Sequence, residues 1–415
     1  MGCNHLIDQQ KLERLAEVGI KIGLGLAKGQ DLLITAPLEA FPLVRFLTKI
    51  AYQEGAGIVT SFFTDDESNL MRFKYGHDEI FDKSPNWFFD GIAKAFSENT
   101  ARLAITGNDP FLLADQDPNK VARVGKAQAE AYKPALQYIS NFDINWTILS
   151  YPTKGWAKRV FPDLPVDEAI VKLSEALFAA SRVNNDNAVE SWRSHNAELH
   201  RRCDWLNDKN FSSLQFKGPG TNLKLGLAQG HAWRGGASQA RNGVICNPNI
   251  PTEEVFTTPD AFRVDGIVSS TKPLSHNGTL IDDICVRFEA GRIVEAKSSK
   301  GESLLKRLLD TDEGASRLGE VALVPHSSPI SQSGILYYNT LYDENASSHI
   351  ALGQCYAECF KDKGIDISKE ELLKRGGNQS LIHVDWMIGS DKIDVDGIKS
   401  DGDIIPVMRQ GEWAY

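Results

Sequence analysis

The chain has 415 residues, 42% of them hydrophobic and 24% charged, which is an ordinary balance for a globular protein with room for two domains. Its formal net charge of -10, without a strong basic patch, argues against nucleic acid as a partner because phosphates would be repelled. We expect no membrane span, since no apolar run approaches the required length. The six cysteines are scattered, which is not a disulfide framework and favours a reducing, cytoplasmic location.

Helical and strand patterns alternate in the first half of the chain. After a helical stretch that ends at Gly29, residues 31–36 predict a short buried strand, residues 38–54 a helix and residues 57–63 a second strand. Residues 101–106 predict a third strand. This order implies parallel pairing with right-handed crossovers. We therefore predict an open α/β domain here.

The pattern changes near Asn210. A strand over 145–151 and helices over 166–180 and 187–206 are predicted before this point. After it come short alternating segments separated by turn residues, as in antiparallel sheets. These segments cover residues 214–216, 222–225, 243–246, 262–269, 283–289 and 292–296. We predict an α/β protein (α+β overall), with an N-terminal α/β domain over 1–210 and a β-rich domain over 211–415. A helix is also expected over 303–310.

The stretch over 336–356 joins an aromatic, apolar beginning to a polar continuation. Its beginning predicts a buried strand, and the following residues show helical spacing over 343–360. On such a helix His349, Gly353 and Tyr356 would share one face. A histidine and a tyrosine on one face, with a glycine between them, favour a functional site there.

Acids occur beside other apolar segments of the second half. Glu253 and Glu254 precede a short apolar run, and neighbours in an extended chain face opposite ways, so only one is expected to point inward. Glu320 is the single acid of an apolar strand and must be paired or metal-bound if it is buried. His383 and Asp385 would point to one side of a strand. Taken singly, each glutamate is more often an exposed strand-end charge.

Five of these residues form a chemically coherent set: Glu254, Glu320, His349, His383 and Asp385. Three carboxylates are too many for a structural zinc site, which prefers cysteine and histidine. The set suits two divalent cations that share a bridging carboxylate and keep open positions for water and substrate.

Four segments resemble, in content and order, the motifs of the M29 family of thermophilic metallo-aminopeptidases (aminopeptidase T and aminopeptidase S types). They are residues 247–257, 318–324, 343–353 and 383–390. The resemblance extends over essentially the whole chain. It implies metal ligands at Glu254, Glu320, His349, His383 and Asp385, and a catalytic tyrosine at Tyr356. The roles of Glu344, a possible further ligand or supporting acid, and of Glu253, an ion-pair partner or general base, stay open.

The resemblance also implies a function. It predicts a hydrolase that removes the N-terminal residue from short peptides with a free N-terminus, using two divalent cations per chain (Co²⁺, Zn²⁺, Mg²⁺ or Mn²⁺). It further implies a homodimer.

Two alternatives remain at this point. His349, His383 and Asp385 also satisfy the two-histidine, one-carboxylate pattern of mononuclear Fe(II) oxygenases, here a ring-cleaving dioxygenase. The presence of Glu254 and Glu320 favours two metals instead. The other alternative is a non-enzymatic peptide-binding protein on the same fold, against which the full complement of proposed ligands speaks.

Overall fold

The computed structural model describes residues 6–276, 279–362 and 367–415, so Cys3 lies outside the described residues. By its internal contacts the chain divides into one unit of Met1–Ser194 with Ala237–Pro251 and another of His195–Gly236 with Thr252–Tyr415. The boundary predicted at residue 210 stays a prediction about domains. Division by contacts differs from it, because the chain leaves the first unit at Ser194 and returns to it over 237–251.

The first unit is built on a parallel sheet. Its strands are β1 (Leu32–Pro37), β2 (Val59–Thr64), β3 (Ala101–Thr106) and β4 (Trp146–Ser150). Their order is β2-β1-β3-β4, with parallel pairing throughout, which confirms the predicted α/β organisation.

Helices connect these strands and extend beyond them. They are α1 (Gln9–Val18), α2 (Phe41–Gln53), α3 (Asp66–Tyr75), α4 (Asn86–Ser97), α5 (Pro118–Ser140), α6 (Lys154–Val160) and α7 (Val166–Ala180). The next helix, α8 (Ala188–Lys209), continues past Ser194, and most of it belongs to the second unit. Helix α7 shows why the pattern was readable, since Ala169, Leu173 and Leu177 recur at helical spacing and are buried. Two short strands, β7 (Ser238–Gln239) and β8 (Ile245–Cys246), pair within the returning segment. No helix among the described residues is long and apolar enough to cross a membrane.

The second unit contains two larger antiparallel sheets. The eight-stranded sheet has the order β14-β13-β10-β6-β5-β18-β19-β20. Its strands are β5 (Ser213–Gly218), β6 (Thr221–Leu227), β10 (Pro259–Ser269), β13 (Cys285–Glu289), β14 (Arg292–Lys297), β18 (Asp394–Ile398), β19 (Ile404–Arg409) and β20 (Glu412–Trp413). The remaining small elements are the hairpin β11 (Leu274–His276) and β12 (Thr279–Ile281), and the helices α9 (Glu302–Leu309), α10 (Pro329–Ser333), α11 (Thr340–Asp343) and α12 (Lys369–Lys374).

A smaller sheet of four strands carries the residues of interest. Its strands are β9 (Val255–Thr257), β15 (Leu318–Leu323), β16 (His349–Gly353) and β17 (His383–Met387). They pair in the order β17-β16-β15-β9, all antiparallel. One face contributes Val321, Ile350 and Trp386 to an apolar core that also holds Phe216 and Val264 of the larger sheet. Because side chains alternate along strands, the other face is left for the residues between them.

The secondary structure predicted over 336–360 is wrong. The apolar beginning ends in the short helix α11 instead of a strand, and His349–Gly353 is the central strand β16 instead of part of a helix. Ile350 and Leu352 alternate into the core, and all five strand residues are buried. Hydrogen-bonded partners on both sides therefore outweigh the helical preference of the alanine and leucine in this segment.

Candidate metal centre

One face of the small sheet carries the predicted metal-binding side chains. Glu320 pairs with Ala351, which pairs in turn with Asp385, so these three residues form one row across the strands. His349 lies two residues from Ala351, and His383 lies two residues from Asp385. Their side chains therefore point to the same side.

Glu254 reaches this face from the residue just before the fourth strand, β9. Two residues further along the chain, Phe256 pairs with Ala322, and Ala322 pairs on its other side with His349. Alternation therefore turns Glu254 and Phe256 to the face that bears Glu320, while Val255 between them belongs to the apolar core. All five residues of the predicted set are brought together.

The separations between their polar atoms are short. His349 Nε2 lies 3.1 Å from Glu254 Oε2 and 3.5 Å from Glu320 Oε1. His383 Nε2 lies 3.6 Å from Glu320 Oε2 and 3.4 Å from Asp385 Oδ1. The atoms thus form two groups able to hold a cation, and Glu320 belongs to both through different oxygens. Glu320 is therefore placed to act as a ligand in either group.

The orientation of both imidazoles suits metal binding. His349 Nδ1 donates to the carbonyl of Ser347 at 3.1 Å, and His383 Nδ1 donates to the carbonyl of Gln354 at 2.7 Å. A carbonyl can only accept, so each Nδ1 carries a proton and each Nε2 is directed towards the carboxylates. A hydrogen bond on the far nitrogen is how metal-ligating histidines are held.

Unsatisfied oxygens provide an independent test of the fit. Glu254 Oε2 and Asp385 Oδ1 are buried and make no hydrogen bond to any described residue. Each of these oxygens faces an imidazole nitrogen but accepts no hydrogen bond. A buried carboxylate oxygen without a hydrogen bond is costly, and a cation would remove that cost. Since one such oxygen belongs to each group, the donor set fits two divalent cations.

Burial and neighbouring charges shift the pKa values of the residues in the cluster. Burial raises the pKa of Glu320 to about 7, against the opposing influence of His349. Burial alone would lower the pKa of His383, but Asp385 and Glu320 outweigh it and raise that pKa to about 9. In the same way Glu254 and Glu320 raise the pKa of His349 well above its usual range. The cluster therefore attracts positive charge strongly.

Glu344 belongs to the same electrostatic environment. It lies on a 3-10 turn, Glu344–Ala346, just before β16, and not on a helix shared with His349. Burial, followed by the negative charge of Glu254, raises its pKa well above the usual value. Glu344 is nevertheless outside both groups.

Glu253 is turned away from the cluster. It is buried, its Oε2 lies 3.8 Å from His195 Nε2, and its amide donates to Asn345 Oδ1 at 2.7 Å. The alternation expected at Glu253 and Glu254 is therefore observed, and the geometry is that of an ion-pair partner.

Tyr356 borders the cluster but does not lie on a helix with His349. It follows the end of β16, and its ring centroid is 4.7 Å from that of His383 and 6.1 Å from that of Phe256. Although 42% of its surface is exposed, desolvation and then the charges of Glu320 and Asp385 raise its pKa well above the usual value. The phenol therefore keeps its proton over the physiological pH range and can donate a hydrogen bond.

Glycine is required at Gly353 by the backbone conformation, and not to leave room beside Tyr356. Its φ is +96°, and a Cβ there would lie 2.1 Å from the carbonyl oxygen of Ile382. The room on the site face comes instead from two residues that the sequence analysis did not single out, Ala322 and Ala351. Once the strands are paired, alternation identifies both as small residues among the charged ones.

Comparisons with known proteins agree on one family. The model of the family described as thermophilic metalloprotease (M29) matches residues 8–413. Aminopeptidase T of Thermus thermophilus is 50% identical over 405 residues, which cover 98% of this chain and 98% of that protein. Aminopeptidase 2 of Geobacillus stearothermophilus is 43% identical over 410 residues, with the same coverage of 98% for both. The solved structure of wild-type AmpT from Thermus thermophilus matches with a TM-score of 0.93 and 49% identity, and covers 98% of this chain and 100% of that one.

Proposed function

Because the chain belongs to the thermophilic metalloprotease (M29) family, we propose that it removes the N-terminal residue from short peptides with the aid of two divalent cations. It is a hydrolase acting on peptides, as its relatives named aminopeptidases are. The observation that carries the proposal is the pair of carboxylate–imidazole groups that share Glu320.

The ligands divide naturally between the two cations. Glu254, Glu320 and His349 would hold one, and Glu320, His383 and Asp385 the other. Together with Glu344 the cluster contains four carboxylates, and two divalent cations would balance their charge when all are ionised. The second group lies closer to solvent, since the His383 side chain is 21% exposed and that of His349 only 1%. Substrate would therefore approach from the side of His383 and Tyr356.

The chain supplies the remaining chemistry. Bound cations of this kind activate water and polarise a carbonyl near neutral pH. Tyr356 is a neutral phenol beside His383 and would donate a hydrogen bond to the oxyanion that develops on the scissile carbonyl. Glu344 is the acid of the cluster that lies outside both groups. The charge of bound cations would offset the neighbouring carboxylates that raise its pKa, and its ionised form would accept a proton from water and pass it to the leaving amine.

Metal titration of the chelated protein tests this function. With Co²⁺, Zn²⁺, Mg²⁺ or Mn²⁺ added back, we expect two cations per chain by elemental analysis and a parallel return of cleavage of aminoacyl p-nitroanilides. A peptide with a free N-terminus should be cleaved and its N-acetylated counterpart should not. Comparable cleavage of both peptides would exclude an exopeptidase, and full activity with one cation per chain would exclude the two-metal site.

The rival functions are not favoured. The ferrous dioxygenase would need only His349, His383 and Asp385, and it leaves the unsatisfied Oε2 of Glu254 without a role. A binding protein without activity would not require the family's ligands. The homodimer implied by the resemblance and the cytoplasmic location favoured by the scattered cysteines also belong to the proposal. Sedimentation velocity tests the first and cell fractionation the second.

A further inference from the structure

Residues 230–234 run beside the segment that carries Tyr356. The two segments are antiparallel, with a bridge between His231 and Phe360. The amide of Ala232 donates to the carbonyl of Cys359 at 2.8 Å, and the amide of Lys361 donates to the carbonyl of Gly230 at 2.9 Å. The far end of the turn that starts at Tyr356 is therefore fixed by main-chain hydrogen bonds.

Arg234 adds contacts closer to the tyrosine. Its Nε donates to the carbonyl of Glu358 at 2.9 Å, and its Nη2 lies 3.4 Å from the carbonyl of Phe360. Within the turn, the amide of Cys359 donates to the carbonyl of Tyr356 at 3.1 Å. One guanidinium thus contacts two carbonyls of this turn.

The main chain of Arg234 is joined to the strand that follows Glu254. Its amide donates to the carbonyl of Phe256 at 2.9 Å, and the amide of Phe256 donates back at 2.8 Å. The next residue, Gly235, lies so close that a Cβ would be 2.6 Å from the carbonyl oxygen of Glu254. Arg234 therefore connects one wall of the metal centre to the turn that begins at Tyr356.

The residues that precede Arg234 are held by further hydrogen bonds. Trp233 is buried, and its amide donates to Asn207 Oδ1 of helix α8 at 2.8 Å. The Thr257 hydroxyl donates to the carbonyl of Ala232 at 3.0 Å. The segment 231–234 is thus held independently of Tyr356, as a positioning element must be.

We propose that Arg234 is a positioning residue for the aminopeptidase reaction, holding the turn that begins at Tyr356 so that the phenol faces the metal centre. The inference rests on the proposed role of Tyr356. Arg234 itself contacts main-chain carbonyls and not the metal-binding side chains. Its effect on catalysis is therefore expected to pass through the tyrosine.

Arg234→Met removes the donors but keeps the length of the side chain. We expect kcat to fall about ten- to a hundredfold, as misplacement by an ångström can produce, with KM within a few-fold and metal content unchanged. Hydrogen–deuterium exchange should become faster in the peptide over 355–361. Arg317→Met is the matched control, because Arg317 Nη1 donates to the carbonyls of Ala261 and Ala290 away from this turn. It should change neither readout.

A double-mutant comparison separates positioning from a general effect. In a Tyr356→Phe background, Arg234→Met should lower kcat by less than about threefold, because the hydroxyl it positions is already gone. A full additional loss in that background would overturn the proposal, and so would unchanged exchange over 355–361. If Arg234→Met does not fold, Arg234→Lys, which keeps one donor group, should show a smaller loss with the same dependence on Tyr356.

The same measurements distinguish a failure of the proposed function from a failure of the positioning role. If the metal-loaded wild-type protein cleaved no aminoacyl substrate, the aminopeptidase function and with it the catalytic part of this proposal would be overturned. The exchange measurement would still decide whether Arg234 fixes the turn. Normal activity of Arg234→Met in an otherwise active enzyme would overturn the positioning role alone.

Discussion

At the scale of single residues, the proposed chemistry depends on a few side chains whose neighbours are unusually close. Glu320 lies within 3.6 Å of one imidazole and 3.5 Å of the other, through different oxygens. Tyr356 contacts one of those imidazoles by its ring. Removal of one functional group from either residue therefore tests the site without changing its overall volume.

Glu320→Gln replaces the proposed bridge by a neutral amide of equal size. We expect metal content to fall below two per chain and activity to fall by more than the roughly 10–100-fold that changes outside the ligand shell cost. Elemental analysis and turnover should be measured on the same samples. Glu253→Gln is the control, because Glu253 is equally buried but turned towards His195, and it should keep both cations. Two cations and normal turnover in Glu320→Gln would contradict the bridging role.

Tyr356→Phe removes only the hydroxyl. If that hydroxyl donates to the oxyanion, kcat should fall about a hundred- to a thousandfold, or about 3–4 kcal/mol, because the interaction is stronger in the transition state. KM should stay within a few-fold and metal content should be intact. Near-normal kcat would show that Tyr356 only packs against His383 and Phe256, and loss of metal would make it part of the metal-binding shell.

At the scale of the element, the site exists because four short strands alternate between core and cluster. Ile350 and Leu352 face the apolar core, whereas His349 and Ala351 face the metal-binding side. Ala351 lies between Glu320 and Asp385 in the cross-strand row, and its small side chain leaves the space between these two carboxylates open. The small residues are therefore as much a part of the site as the charged ones.

Ala351→Leu tests this use of space. The larger side chain would project between Glu320 and Asp385, and we expect loss of metal binding together with a destabilisation of about 1–3 kcal/mol from overpacking. Ile350→Leu is the matched control on the opposite face, where a volume-conserving change usually costs less than about 1.5 kcal/mol. Equilibrium dialysis and denaturant unfolding provide the two readouts. Wild-type metal affinity in Ala351→Leu would show that the cations lie elsewhere.

At the scale of the whole molecule, buried ionisable groups connect stability to pH. His231 is buried outside the metal-binding groups, and its Nδ1 donates to the carbonyl of Ala228 at 2.9 Å. Burial lowers its pKa from 6.5 to about 4, against the raising influence of that hydrogen bond. The folded chain thus binds fewer protons at this residue than the unfolded chain between these two pH values.

Acid therefore destabilises the folded protein through His231. The contribution of neutral His231 to the free energy of unfolding is fully present above pH 6.5 and is lost as the pH falls towards 4. Linkage predicts that this free energy has decreased by about 2 kcal/mol at pH 5. His231→Gln is neutral at every pH and should lack this part of the acid sensitivity. Urea unfolding of both proteins at pH 7.5 and pH 5, at one metal concentration, measures the difference. Equal acid sensitivity of the two proteins would show that His231 does not contribute.

Much of the architecture could be predicted from the sequence because it is recorded in local patterns. The strand–helix alternation of the first unit and the apolar stripe of helix α7 arise from spacing alone. The residue types of the cluster could also be read from the sequence, because His383 and Asp385 on one strand and an acid within the apolar strand β15 form, together with Glu254 and His349, a set that suits metal ions, although each acid alone does not. These features depend on neighbours in the chain, which the sequence shows directly.

Only the tertiary structure decided that His349 lies on a strand and that Tyr356 lies in the turn after it. His349–Gly353 contains good helix formers, and what makes it a strand is hydrogen bonding to β15 on one side and β17 on the other, partners distant in the chain. The helix wrongly predicted over 343–360 still placed His349 near Tyr356. It did not reveal the space at Ala351 or the backbone conformation that requires glycine at Gly353. The role proposed for Arg234 could not be predicted, because its side-chain hydrogen bonds join residues more than a hundred positions apart. Pairing across such distances is set by packing of the whole chain and leaves no local pattern.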